Sequence, residues 1–104
     1  MTAAREWMPY KNGATIGSVG SENGIILSDE ELADTCRVTL ERCSQYHVIT
    51  CCVYDAMMHT AFCGPDGAGE TYERMKDELA RFISSDATEE DEQKFYEEFC
   101  NQFS

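Results

Sequence analysis

Around Gly64-Pro65-Asp66-Gly67 the apolar pattern of this chain changes period. Before that point side chains alternate, as in half-buried strands; after it they recur at helical spacing. Cys36, Val38 and Leu40 alternate with Arg37, Thr39 and Glu41. Ile25-Ile26-Leu27 opens the β-like region, which His47–Tyr54 and Met57–Cys63 continue with β-branched, aromatic and sulfur-bearing residues. Cys43-Ser44-Gln45-Tyr46 and Tyr54-Asp55-Ala56 read as turns, and the Gly-Pro-Asp-Gly run ends the series. Beyond it Tyr72, Met75, Leu79, Phe82 and Ile83 make one helical stripe, broken by Ser84-Ser85-Asp86. Thr88 and Asp91 then match a capping box, with Glu89, Glu90, Asp91 and Glu92 in the first turn, where the helix dipole favours negative charge. Phe95, Tyr96, Phe99, Cys100 and Phe103 supply the apolar side of this last helix.

The expected fold is therefore α+β: an antiparallel β-meander of about four strands, packed on one face by two C-terminal helices. A chain of 104 residues makes one domain. Residues 1–23 form an N-terminal flap or strand, 24–63 the meander and 67–103 the helices. Trp7, Met8 and Tyr10 suit a packed flap, and Ala14–Val19 is a strand candidate among glycines. Ser28-Asp29-Glu30-Glu31 could open a short helix, but the favoured reading carries the strand to about Glu31 and turns at Ala33-Asp34.

Charge bounds the partners. Twenty Asp and Glu against eight Lys and Arg leave a net charge of −12. That field repels nucleic acid and anionic membranes and attracts basic proteins. Residues 1–66 carry nine acids and four bases, and residues 67–104 eleven and four, so the excess is no detached tail. Solvated helix faces explain much of it. Two groups stand out as places for a basic partner: Asp29, Glu30, Glu31, Asp34 and Glu41 around one hairpin, and Glu89, Glu90 and Asp91 at the start of the last helix. The first group could equally be a charged edge that discourages strand pairing.

The six cysteines and the absence of an apolar leader at Met1–Trp7 predict a cytoplasmic protein with reduced, mostly structural thiols. No apolar run is long enough to cross a membrane as a helix. His47 and Cys51 are four apart, as are His59 and Cys63, so each pair shares a strand face. A three-residue turn centred on Asp55 is expected to set Cys51 opposite Ala61 and keep both pairs on one face; a two-residue turn would separate them. These four residues are the alternative metal ligands, or a Cys/His catalytic pair. The close Cys-x-x-Cys knuckles of structural zinc are missing, as are nucleophile elbows, phosphate loops and dinucleotide fingerprints. The chain is accordingly read as a binder and not an enzyme, without metal or cofactor. A homodimer through the Phe-rich last helix is a further option.

The segments GIILSDEEL, CRVTLERC and VITCCVYDAMMHTAFC, followed by the helix YERMKDEL, resemble small bacterial domains of unassigned function over residues 24–80. In size, charge and architecture the chain also resembles the small acidic immunity proteins that neutralise polymorphic toxins. That resemblance implies inhibition of a cognate toxin, often a nuclease, and assigns no individual residue.

Overall fold

In the computed structural model, which describes residues 6–64, 66–83, 85 and 88–103, five strands lie in sequence order and each neighbouring pair is antiparallel. They are β1 (Trp7–Pro9), β2 (Ile25–Leu32), β3 (Cys36–Arg42), β4 (His47–Val53) and β5 (Met57–Cys63). Two helices follow, α1 (Ala68–Ile83) and α2 (Glu89–Gln102). The fold is the expected α+β meander with one strand more. The added strand is the short β1, where Trp7 pairs with Leu32 and Pro9 with Glu30. Ala14–Val19 does not form a strand: its backbone turns repeatedly, with a single bridge from Val19 to Ile25. Of the Gly-Pro-Asp-Gly punctuation, Pro65 lies outside the described residues, as do Ser84 and Asp86 of the break between the helices.

Each tight turn has a local cause. Asp34 and Asp55 sit at the middle of three-residue loops with φ of 55° and 62°. Short Asx side chains tolerate this left-handed region better than most residues. The loops close through Thr35 N–H to Leu32 O and Ala56 N–H to Val53 O, both 2.9 Å. After β1 the chain reverses through left-handed backbone at Lys11, Asn12 and Gly13. Thr88 caps α2 as its sequence indicates: Asp91 N–H donates to Thr88 Oγ1 at 3.2 Å, and Thr88 N–H donates to Asp91 Oδ2 at 3.3 Å.

The two faces of the sheet are finished differently. On one, Leu32, Cys36, Val38, Leu40, Ile49, Cys51, Val53 and Ala61 meet Ala68, Tyr72, Met75 and Leu79 of α1 and Phe99 and Phe103 of α2. The α1 stripe is the predicted one, with Phe82 and Ile83 only half-buried at its end. Phe82 stacks on Phe95 at 4.1 Å between centroids, joining the two helices. The Phe-rich side of α2 is thus spent inside the fold. The other face carries Asp29, Arg37, Thr39, Glu41, Thr50, Cys52, Met58 and Phe62, by register with one another. Neither α1 nor α2 covers it; residues 10–24, which open with a 3-10 turn at Tyr10–Gly13, fold over part of it. A bulge at Leu27 lets Ile26 and Asp29, three apart, share this face.

Burial on the helical face predicts a sharp contrast in stability. Leu79→Ala, at a side chain with 0% exposure, should cost about 2–5 kcal/mol by removing packed methylenes and leaving a void. Phe62→Ala, at 64% exposure on the open face, should shift stability by about 0.5 kcal/mol or less. Urea denaturation of both variants reads the difference directly.

Candidate functional site

The acids of the first hairpin are mostly internal. Asp29 is buried, and each of its oxygens is engaged. Arg37 Nε donates to Oδ1 at 2.8 Å and Arg37 Nη2 to Oδ2 at 2.6 Å; Thr15 Oγ1 donates to Oδ2 at 2.8 Å and Thr39 Oγ1 to Oδ1 at 3.1 Å. These bonds to Asp29 raise the already high pKa of Arg37, whose guanidinium also lies 3.7 Å over the Tyr10 ring. Glu30 turns to the helical face, where its Oε1 accepts from Lys76 Nζ at 2.8 Å and Tyr72 Oη at 3.0 Å. Glu31 Oε2 accepts from Tyr54 Oη. Burial raises the pKa of the Tyr72 and Tyr54 hydroxyls first, with the neighbouring Glu30 and Glu31 adding to it, so both remain donors. Asp34 is exposed, held by its turn.

Glu41 is buried as deeply as Asp29, but differently. Its Oε1 accepts from the backbone N–H of Glu22 at 3.2 Å and of Gly24 at 3.1 Å, which ties residues 20–24 to β3. Its Oε2 is buried and has no hydrogen-bond partner among the described residues. Gly20 passes directly over this carboxylate, so close that a Cβ there would overlap it. A side chain there would force either the segment or the Glu41 carboxylate to shift.

Beside Glu41 lies a cavity of about 450 Å³ between residues 10–21 and the open face. Tyr10, Thr15, Ser18, Val19, Gly20 and Ser21 form its cover, while Ile26, Arg37, Thr39, Glu41, Thr50 and Cys52 form its floor, with Tyr54 and Met58 at the rim. Thr50 Oγ1 is a second buried polar atom here without a partner. Volume and lining fall within the ~300–1,000 Å³ range of small-ligand pockets. Two of its lining residues are exposed apolar side chains, Val19 at 64% and Met58 at 71%, and Phe62, on the same sheet face, is 64% exposed. Tyr46 packs edge-on against Phe62, with centroids 5.6 Å apart. The exposed large apolar residues are Met8, Ile16, Val19, Leu27, Tyr46, Met58 and Phe62; among the described residues, none belongs to α1 or α2.

The second acidic group is on the surface. Glu89, Glu90 and Asp91 are exposed, with Asp91 occupied in capping. Glu89 and Glu90, with Asp55, Glu92 and Tyr96, border a shallow depression on the helical side. The structure therefore does not gather the eight candidate acids into one surface. It buries Asp29 and Glu41, engages Glu30 and Glu31 in internal bonds, and leaves Asp34 exposed on its turn.

The Cys/His set does share a face, as a three-residue turn requires, but the expected register is corrected. Cys51 is opposite His59 and His47 opposite Cys63, because the loop pairs Val53 with Met57. Ala61 instead faces Ile49. This is the helix-covered face. His59 Nε2 donates to Phe103 O at 2.9 Å, anchoring the end of α2. Burial, followed by neighbouring Cys100 and Cys36, pushes the Cys51 thiol up to about 12, which disfavours the thiolate a metal or a nucleophile needs. No group of three or more His, Cys, Asp or Glu side chains is disposed to hold a metal ion among the described residues. None of the six cysteines is in a disulfide. Adjacent Cys51 and Cys52 point to opposite faces, one into the core and one into the cavity floor.

The cavity leaves little trace in the sequence, because its floor residues Thr39, Thr50 and Cys52 are ordinary strand residues. Only the glycine spacing at Gly17, Gly20 and Gly24 signalled a backbone held close to something. No helix among the described residues is long and apolar enough to cross a membrane. No protein-family model, curated protein or solved structure matches the chain.

Cys51 gives a pH dependence with a definite sign. An exposed thiol ionises near ~8.5. Folded Cys51 keeps its proton to about 12, and Cys63 and Cys100 are also raised by burial. Between those values the unfolded chain has lost protons that the folded chain retains, so stability is full at neutral pH and falls as pH rises above about 8.5. Urea midpoints should drop from neutral to alkaline pH, and less steeply in Cys51→Ala; a midpoint unchanged across that range would contradict the buried-thiol account.

Proposed function

We propose that this protein is a protein-binding module that captures a basic partner on the open face of its sheet. The specific form we favour is an immunity-type inhibitor that neutralises a basic toxin or nuclease. The observation that carries the reading is the placement of exposed apolar residues. Val19 and Met58 line a cavity on the face that neither α1 nor α2 covers, and Phe62 with Tyr46 packed on it lies exposed on the same side, on a molecule of net charge −12. A few large side chains buried by a partner carry most of the energy of a protein interface, ~2 kcal/mol or more at each such anchor. The acidic surface, including Glu89 and Glu90, supplies long-range attraction and speeds encounter more than it tightens the final complex. No catalytic step is required.

β5 also has a free edge among the described residues, since it pairs only with β4. An unprotected edge bearing Met58 and Phe62 offers a second copy of the chain a place to pair, a different homodimer from the one expected through the Phe-rich last helix. Light scattering at rising concentration separates that from a monomer that awaits a different protein.

The test is to identify the protein retained at low salt, purify it, and measure its affinity against wild type, Phe62→Asp and a Glu89→Gln/Glu90→Gln double variant. Phe62→Asp should weaken binding by about 30-fold or more, equivalent to ~2 kcal/mol. The double variant should mainly slow association, with salt lowering the rate for wild type because exposed charges are screened beyond ~10 Å at 0.1 M. A partner that is not basic, or one whose affinity ignores both Phe62 and salt, would remove this reading.

A further inference from the structure

We propose that the cavity on the open face is a socket for a lysine side chain, its ammonium received by Glu41 Oε2 and Thr50 Oγ1. This deepens the reading of a basic partner and rests on it for the source of the lysine.

Four buried side-chain polar atoms lack a hydrogen-bond partner among the described residues: Trp7 Nε1, Glu41 Oε2, His47 Nδ1 and Thr50 Oγ1. Two of the four belong to residues that line this one cavity. Buried polar groups are nearly always satisfied, so two unsatisfied acceptors in one lining mark a place where a donor belongs. The sign of the donor follows from the charges. Arg37 and Glu41 are the charged residues of the lining. Arg37 is already bound through two nitrogens to buried Asp29, which leaves no uncompensated positive charge for an anion. Glu41 has only two backbone N–H donors, both on Oε1. A buried carboxylate without a counter-charge is costly, and a cation relieves that cost. An ammonium, with three donors, can serve Oε2 and Thr50 Oγ1 together.

The walls suit the rest of the side chain. Ile26, Val19 and Met58 present apolar surface to a four-carbon stem, and the Tyr10 ring stands at the cover. Oε2 is buried and a Cβ at Gly20 would fall 2.8 Å from it, so an arriving ammonium must displace that segment. Gly20 is held locally by its N–H to Gly24 O at 2.9 Å, and Glu22 and Gly24 by the Glu41 carboxylate itself. Occupancy should therefore register in the amides of residues 20–24 as well as in β3 and β4.

The probe is N-acetyl-lysine methylamide, titrated into the isotopically labelled protein and followed by proton–nitrogen correlation spectra, with the norleucine analogue as the uncharged control. The expected result is saturable binding in the millimolar range, with shifts at Gly20, Glu22, Glu41 and Thr50, and none from the norleucine compound. Glu41→Gln keeps an oxygen for the two backbone N–H groups and removes the charge; it should weaken binding by about 10-fold or more. Thr50→Val, which leaves the Glu41 contacts intact, should also weaken it and stands in if Glu41→Gln fails to fold. The proposal is overturned by the absence of saturable shifts, by equal binding of norleucine, or by affinity unchanged in both variants. The two readings fail separately: lysine binding with no basic protein partner keeps the socket and removes the partner, whereas a partner unaffected by Glu41→Gln keeps the module and removes the socket.

Discussion

The Asp29 carboxylate ties the uncovered half of this protein to its sheet. Through Arg37 it fixes a cation beneath Tyr10, through Thr15 it holds the N-terminal segment down, and through Thr39 it bonds across to β3. Hydrogen bonds to a charged group are worth ~1.5–3 kcal/mol each, against about 1 kcal/mol for neutral ones. Four donors on one buried carboxylate explain how a segment rich in glycine and turns keeps a defined place over the sheet. Glu41 repeats the device one turn of chain later, with backbone N–H groups in place of side chains. Together the two acids suspend residues 10–24 over the open face and so create the cavity.

This division separates structure from recognition. Helices α1 and α2 bury one face by ordinary apolar packing, and their aromatic residues are used up there. The opposite face buries Ile26 and Val48 beside its polar contacts and leaves Val19, Met58 and Phe62 exposed. A binding surface on that side costs the core nothing, because Met58 and Phe62 contribute little to it. The strongly negative charge then has two roles in different places: internal fastening at Asp29, Glu30, Glu31 and Glu41, and exterior field at residues such as Glu89 and Glu90.

Much of the fold was legible in the sequence because it rests on local pattern. Alternation in Cys36–Glu41, the breaks at Tyr54–Ala56 and the Thr88/Asp91 capping box each specify their own geometry. Around β1 the sequence supports only an N-terminal flap or strand, because three residues, one of them Pro9, are too few to show a period. The candidate site was harder, since its defining facts are long-range. Nothing in the sequence near Asp29 announces that Thr15 and Arg37 will meet it, and the run of acids there reads as surface charge until the partners are placed. The Cys51 register shows the same limit on a smaller scale: a loop of known length still had to be counted onto the partner strand, and His59, not Ala61, is the residue opposite.

The division of the acidic excess between internal fasteners and an exterior field can be read by carboxyl footprinting with a carbodiimide and a small amine, residue by residue in the native protein. It predicts rapid modification at Asp34, Glu89 and Glu90, and protection of Asp29 and Glu41, each only 1% exposed, until the protein is unfolded. Modification of Asp29 and Glu41 in the native protein at the rate of Glu89 and Glu90 would contradict it.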